Sequence, residues 1–284
     1  MLALGLGAAL LASVLFNVGI VLQAVDARTA PKSLGYRVGL LSLLVRRRRW
    51  VLGFALGVVG VAPQVAAYAE APFVVVQPML AVGLLLVLFL GVHILGESVD
   101  LRSVAGVVTI IAGIALVAWG APSHSENHRG GITVLVVVGV LCATGIAPFF
   151  VRGSRFDTGM LAIVAGGCGF GATNVATKLF GDDFGVAHYG NAAAWGLVTV
   201  AMAVVATIAN MTAFQRRAAT TVVPISTSVQ TFLPIVLEPL FLREHWASAR
   251  LDGVPIVVGL AVALLGNVLL AGTRAVSELI ADGT

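Results

Sequence analysis

Nine apolar runs, each near the length that a bilayer demands, constrain this chain more than any other feature of its sequence. They cover approximately 2–24, 50–69, 73–95, 103–120, 132–150, 159–180, 191–213, 219–242 and 254–273. About 20 apolar residues cross a hydrocarbon core as an α-helix. Lipid offers the backbone no hydrogen-bond partner, so each crossing run must close its own bonds as a helix. The runs predict an all-α polytopic membrane protein with about nine transmembrane helices, or ten on a looser reading. Charged residues fill 11 % of the 284 positions, against about 25 % in soluble domains. That excludes a soluble enzyme, a secreted disulfide scaffold and a disordered chain. Cys142 and Cys168 both lie in apolar runs, where a disulfide or a metal site is a poor reading. The first run lacks the basic segment that precedes a cleaved signal and reads as the first span.

Charge placement orients the spans. A tenth stretch, 34–45, is short and carries Arg37, so it reads as interfacial or re-entrant. With nine spans and the N-terminus outside, thirteen of the 17 Lys and Arg residues fall in cytoplasmic segments, as the positive-inside rule requires. Arg129, Lys178, Arg243 and Arg250 stay on the external side. A ten-span reading weakens this asymmetry and strands Arg37 in the membrane. The run Arg46–Arg49 reads as a juxtamembrane topology anchor, and the net charge of +4 reflects such loops rather than a nucleic-acid partner. The expected setting is the cell membrane, with the lipid bilayer as partner and the C-terminus cytoplasmic. A homodimer stays open.

The two halves resemble each other. Tyr68-Ala-Glu-Ala-Pro-Phe-Val-Val-Val-Gln-Pro78 leads to Glu97 and a Gly-rich span from Gly106. Phe214-Gln-Arg-Arg-Ala-Ala-Thr-Thr-Val-Val-Pro224 leads to Glu244 and a span from Gly253, at an offset of 146 to 147 residues. Asn17, in FNVGIVLQ, has its counterpart in Asn174, in TNVATKLF. Spans 1–4 thus pair with spans 6–9, and the unpaired fifth span inverts the second unit. The expected organisation is a first repeat at 1–120, a linker with span five at 121–158 and a second repeat at 159–284. Inverted repeats with a site near the midplane are a recurring transporter architecture.

These residues carry a resemblance to a known family. Gln64-Val-Ala-Ala-Tyr-Ala-Glu-Ala-Pro72, Val76-Gln-Pro78 and Leu95-Gly-Glu97 resemble the NIPA-type magnesium transporters of the drug/metabolite transporter (EamA-like) superfamily. Val222-Val-Pro224, Leu242-Arg-Glu244 and Lys178 after Asn174 fit the same pattern in the second half. The resemblance spans nearly the whole chain. It implies an integral membrane transporter with Mg²⁺ as leading substrate, while relatives in the superfamily carry organic metabolites and drugs.

Ionisable side chains inside lipid are costly and are functional candidates by default. Glu238, near the external end of span eight, is the sharpest. Mg²⁺ takes oxygen ligands and keeps several waters, so one or two carboxylates suffice. Glu70 and Glu238 are the expected metal contacts. In the competing readings Glu238 pairs with Arg243 or snorkels, and Glu70 is a plain loop acid. The expected substrate contacts are Asn17, Gln64, Gln77, Asn174, Lys178, Gln230 and Glu238. Asn210, Asn267, Thr220, Thr221, Ser226, Thr227, Ser228 and Thr231 add further oxygens. Each has a competing packing role, since interhelical polar bonds contribute about 0.6 kcal/mol. Lys178 would repel a cation. It either pairs with Asp182, Asp183 or Glu238, snorkels outward, or binds an anionic substrate. Glu97 and Glu244 close paired helices before a turn and are expected to serve as helix-end hydrogen-bond partners for the neighbouring loop. His93 reads as a packing residue, and His124 and His128 as parts of a solvated loop.

Gly53, Gly57 and Gly60 are spaced for close helix contact. Pro78 and Pro224 occupy equivalent places and are candidate hinges. The run Gly166–Gly171 follows no soluble strand and fails as a dinucleotide loop. No nucleotide-binding loop, hydrolytic triad or metalloprotease signature is present, so no enzyme and no cofactor are expected. The expected activity is a secondary carrier or facilitator working by alternating access, with Mg²⁺ or another divalent cation first. The alternatives are export of a small organic metabolite or drug, or flipping of a lipid-linked substrate with Arg46–Arg49 holding its head group. A non-transporting scaffold is the remaining class. An aromatic content of 7 % disfavours a cavity for flat drug cations, which stack on rings.

Overall fold

Helices α1 (Leu2–Arg28), α2 (Val38–Leu44), α3 (Arg48–Glu70), α4 (Phe73–Leu95), α5 (Leu101–Gly120), α6 (Ile132–Ile146), α7 (Thr158–Gly185), α8 (Tyr189–Phe214), α9 (Ala219–Leu242) and α10 (Val254–Ala281) follow one another along the chain. The computed structural model describes residues 2–70, 73–120, 132–150, 158–185, 187–242 and 250–281. Within helices it leaves out the side chains at 2, 68–69, 73–75, 77, 132–133, 158, 178, 181–182, 185, 234–242 and 271–281. Among the described residues there is no strand. Seven helices there, α1, α3, α4, α5, α7, α8 and α10, are long and apolar enough to cross a membrane. The chain is an integral membrane protein of the all-α class.

Two expected stretches differ in length from the helices that form. The run 132–150 gives only the 15 residues of α6, about 22 Å at 1.5 Å per residue. The chain then tightens into a 3₁₀ turn over Ala147–Phe149 around Pro148, whose ring and missing N–H cannot continue an α-helix. Conversely α1, α7 and α10 run past their apolar stretches to Arg28, Gly185 and Ala281. The stretch 34–45 yields only α2, seven residues and about 10 Å, too short to cross.

That short helix is an anchor. Leu40 and Leu44 are fully buried. Tyr36 adopts φ 56°, donates its backbone N–H to Thr212 Oγ1 at 2.9 Å and meets Phe149 edge-to-face at 5.1 Å. Burial pushes its phenol up to about 12, against the opposing pull of Arg216. Gln215 Nε2 donates to the Pro31 carbonyl at 3.1 Å. The segment between α1 and α3 is thereby strapped beneath the end of α8. Arg47 donates to the Asp26 carbonyl at 2.9 Å and pairs with its carboxylate at 3.7 Å. One arginine of the basic run therefore clamps α3 to α1.

Packing groups the helices. α1 lies chiefly against α3 and α4, α7 against α8 and α9, and α5 against α10. Helices in lipid gain little from the hydrophobic effect and associate where small residues let backbones touch. A Cβ on Gly19 would stand 2.5 Å from the Gly53 carbonyl oxygen, and one on Gly53 2.4 Å from that of Gly19. On α5 and α10, a Cβ on Gly113 or Gly259 would stand 2.7 Å from the other's carbonyl oxygen, and one on Gly266 2.7 Å from that of Gly106. Gly53 and Gly60 make close contacts as expected, Gly60 with Phe16. Gly57 has nothing within 4 Å and borders an internal cavity instead.

Contacts at the helix ends fix the direction of travel. Phe149 beneath α6 meets Tyr36, and the start of α9 meets Glu97 between α4 and α5. At the other end of α5, Trp119 lies 5.9 Å from the Arg250 guanidinium just before α10. The segments carrying Arg28, Arg47 and Glu97 share one end of the bundle, and Arg250 lies at the other.

Gly113→Ala and Gly259→Ala should each lower thermal stability by the cost of overpacking, about 1–3 kcal/mol. Gly139→Ala, where a Cβ meets nothing within 4 Å, should leave the Tm unchanged or raise it. Thermal unfolding in detergent reads the difference.

Candidate functional site

Polar side chains from several spans converge on one chamber, although Asn267, Thr220, Thr221 and Ser228 do not line it. Its volume is ≈ 480 Å³, within the range of about 300–1,000 Å³ usual for small-molecule sites. Seven helices line it: Asn17 and Gln23 come from α1, Gln64 from α3, Leu84 from α4, Ile114 from α5, Asn174 from α7, Asn210 from α8 and Ser226, Thr227, Gln230 and Thr231 from α9. Among the described residues, the polar part of the lining is six amides and three hydroxyls, and none of the lining residues is ionisable. Phe16, Phe170, Ile20, Leu80, Ala81 and Val223 complete the walls.

Two of the amides are seated by glycines. Asn17 Nδ2 donates to the Ser13 carbonyl at 2.7 Å, while Ser13 Oγ donates to the Leu80 carbonyl on α4 at 2.7 Å. Both side chains fit against α4 because residue 83 is glycine: a Cβ there would stand 2.1 Å from each. Asn210 Oδ1 accepts from Ser226 Oγ at 3.2 Å. A Cβ on Gly166 would stand 2.1 Å from that same oxygen. Gln23, Gln64, Asn174 and Gln230 find no protein hydrogen-bond partner among the described residues. Gln23 is nevertheless only 8 % exposed.

Four of the expected contacts, Asn17, Gln64, Asn174 and Gln230, are therefore brought together. The side chains of Gln77, Lys178 and Glu238 lie outside the described residues. Glu70 is described, stands exposed at the end of α3, and does not line the chamber. Asp183 approaches His188 at 3.6 Å. Among the described residues no three His, Cys, Asp or Glu side chains gather as a metal site. His93 packs on Phe89 and bonds its carbonyl at 2.8 Å; His124 and His128 lie outside the described residues.

Of the lining amides, Gln23 alone is not singled out by the sequence, while Asn210 stands among the further oxygens. Gln23 lies one turn beyond Ile20, itself one turn beyond Asn17, and all three line the chamber. Asn210 stands 146 residues after Gln64, at the offset that relates Pro78 to Pro224.

Among the described residues, the ionic groups stand at the helix ends. Glu97 follows Gly96, whose φ of 65° ends α4, and its N–H returns to the Gly91 carbonyl at 3.0 Å. Its carboxylate, 4 % exposed, pairs with Arg28 and accepts the N–H groups of Ala219 at 2.6 Å and Thr220 at 2.9 Å. Those are free donors of the first turn of α9, and a carboxylate there also meets the positive end of the helix dipole. Glu97 thus acts as an acceptor, as expected, but for a distant helix end rather than for the neighbouring loop; Glu244 lies outside the described residues. Three elements, the end of α1, the turn after α4 and the start of α9, are thus tied at one point. Nearby, Asp100 Oδ1 caps α5 through the Ser103 N–H and Oγ, at 2.8 and 2.7 Å. These bonds hold its carboxyl below the usual range.

Compared with known proteins, the chain matches no family model, no curated protein and no solved structure.

Removing one partner of a buried ion pair costs about 3–5 kcal/mol. Arg28 is a quarter exposed, which places Glu97→Ala at the low end of that range or below it. Glu97→Gln keeps an acceptor for α9 and should cost less than the alanine. Equal losses in thermal unfolding would mean that the bonds to α9 contribute nothing.

Proposed function

We propose that the chain is a multi-pass membrane carrier working by alternating access around the amide-lined chamber. The observation that carries this reading is the chamber itself. It stands where seven helices from both halves of the chain meet, and it gathers Asn17 and Asn174, the amides paired by the internal repeat. The helix packing supports the same organisation. The grouping of α1 with α3 and α4 parallels that of α7 with α8 and α9, with α5 against α10. On this reading residues 1–120 and 159–284 are inverted repeats, α6 is the linker within 121–158, and nine helices cross the bilayer with the N-terminus outside. The Glu97 clasp then closes the cytoplasmic end. Transport consists of rocking one repeat against the other until that end opens and the external one shuts.

The resemblance to NIPA-type transporters supports membership of the drug/metabolite transporter superfamily and makes Mg²⁺ the first cargo to assay. Glu70 and Glu238 would stand along the external approach, with about 2.3 kcal/mol per charge per 100 mV driving entry.

Alternating access is checked with Thr227→Cys in proteoliposomes and a membrane-impermeant maleimide applied to either face. Labelling from both faces is the expected outcome; labelling from one face alone would remove the carrier reading. Saturable Mg²⁺ uptake under an imposed potential, reduced several-fold by Glu238→Gln in a folded variant, would establish the cation as cargo. Absence of uptake by folded protein would remove Mg²⁺ and leave the carrier.

A further inference from the structure

We propose that the chamber takes an uncharged, polyhydroxylated solute, a polyol or sugar, whose hydroxyls are read by Asn17, Gln23, Asn210 and Gln230. The inference rests on the carrier reading and names its cargo from the chemistry of the lining, independently of the family resemblance.

Hydrogen-bond inventory comes first. A primary amide presents an acceptor oxygen and two N–H donors, and a hydroxyl both donates and accepts. Six amides and three hydroxyls therefore offer donors and acceptors in mixture. A polyol offers the same mixture and can satisfy both kinds. An anion only accepts, so it would leave amide oxygens unpaired. A metal ion with its water shell only donates, so it would leave the NH₂ groups unpaired. Each buried group left without a partner costs about 1–3 kcal/mol.

Charge points the same way. No lining residue among those described is ionisable, and a charge taken from water into a protein interior without a counter-charge costs several kcal/mol. Arg28 and Glu97 neutralise each other at the bundle end and do not line the chamber.

The amides are also built for a ligand. Gln23 is more than nine-tenths buried and has no protein partner among the described residues. Buried polar groups in native proteins are satisfied in the great majority of cases, and the group that satisfies Gln23 belongs in the chamber it lines. Asn17 and Asn210 are held by bonds to Ser13 and Ser226 and by the space that Gly83 and Gly166 leave. Their remaining polar atoms are thereby aimed rather than free to rotate. Phe16, Phe170 and Leu84 supply apolar walls for the C–H faces of a ring. A site of this kind discriminates strongly, because losing a substrate hydroxyl strands the protein groups that bonded it.

The test is thermal stabilisation of the purified full chain by glycerol, myo-inositol, D-ribose and D-glucose. Gluconate, glucosamine, glucose 6-phosphate and MgCl₂ serve as charged comparators. At least one uncharged solute should raise the Tm by several degrees, with the charged comparators at least tenfold weaker in apparent affinity. Asn17→Leu and Gln230→Leu should abolish the shift; Asn174→Leu, at an exposed lining position, replaces either if it does not fold. Equal or stronger stabilisation by a charged comparator or Mg²⁺ overturns the proposal, and so does the absence of stabilisation by every uncharged solute. Two-sided labelling of Thr227→Cys, read in parallel, separates the outcomes. If labelling persists without polyol binding, only the cargo class falls; if both fail, the carrier reading falls with it.

Discussion

Backbone contact through glycine holds this bundle together. Between helices in lipid the hydrophobic effect gives no net drive, because the surrounding tails are as apolar as leucine. What remains is close approach, and close approach needs residues without side chains. The α5–α10 seam meets that need twice, at Gly106 with Gly266 and at Gly113 with Gly259. The equal seven-residue spacing on both helices keeps the glycines in register along an antiparallel pair. Gly19 and Gly53 do the same for α1 and α3. Since α5 and α10 stand in different halves of the chain, their seam joins the halves, while the helices that line most of the chamber pack within them.

A second use of glycine creates the chamber. Gly83 and Gly166 do not bring backbones together; they admit Asn17 and Asn210 against a neighbouring helix. Leucine at either position would fill the space and expel the amide. The same missing side chain therefore closes a seam or seats a polar group, according to what faces it. Gly57 shows the third case, where the absent side chain simply borders open volume. Heptad-like spacing alone does not separate these cases, because it reports that a face is small and not what lies opposite.

That distinction explains what the sequence made legible. The helical class and most element boundaries follow from hydropathy, since lipid leaves the backbone no other option. The shortfall of α6 traces to Pro148, and the overrun of α1 to the fact that backbone hydrogen bonding does not stop where apolarity does. Asn17, Gln64, Asn174 and Gln230 were legible as a site because intramembrane polar groups are few. Gln23 was not, because it sits near a helix end where a polar residue reads as interfacial. Only tertiary packing buries it to 8 % exposure. Glu97 was legible as a helix-end acceptor from its place after Leu95-Gly96. Its partner on α9, more than a hundred residues away, was not.

The partner matters because α9 carries both the clasp and much of the chamber. Its first turn is held from outside, through the N–H groups of Ala219 and Thr220 bonded to Glu97. Pro224 follows at the position whose N–H would otherwise bond the Thr220 carbonyl, and proline has no N–H to give. The first turn is thus tied firmly to α1 and the α4–α5 turn, and loosely to the rest of its own helix. Ser226, Thr227, Gln230 and Thr231 begin just beyond that weak point. A helix interrupted in this place can move its chamber segment while its end stays clasped, or release the end while the chamber segment stays packed. Pro78 stands equivalently in α4, below Leu80, Ala81 and Leu84 of the same chamber. Pro63 interrupts α3 in the same way, but Pro78 and Pro224 alone stand at matching places in the two halves of the sequence, and both lie directly beside the polar lining.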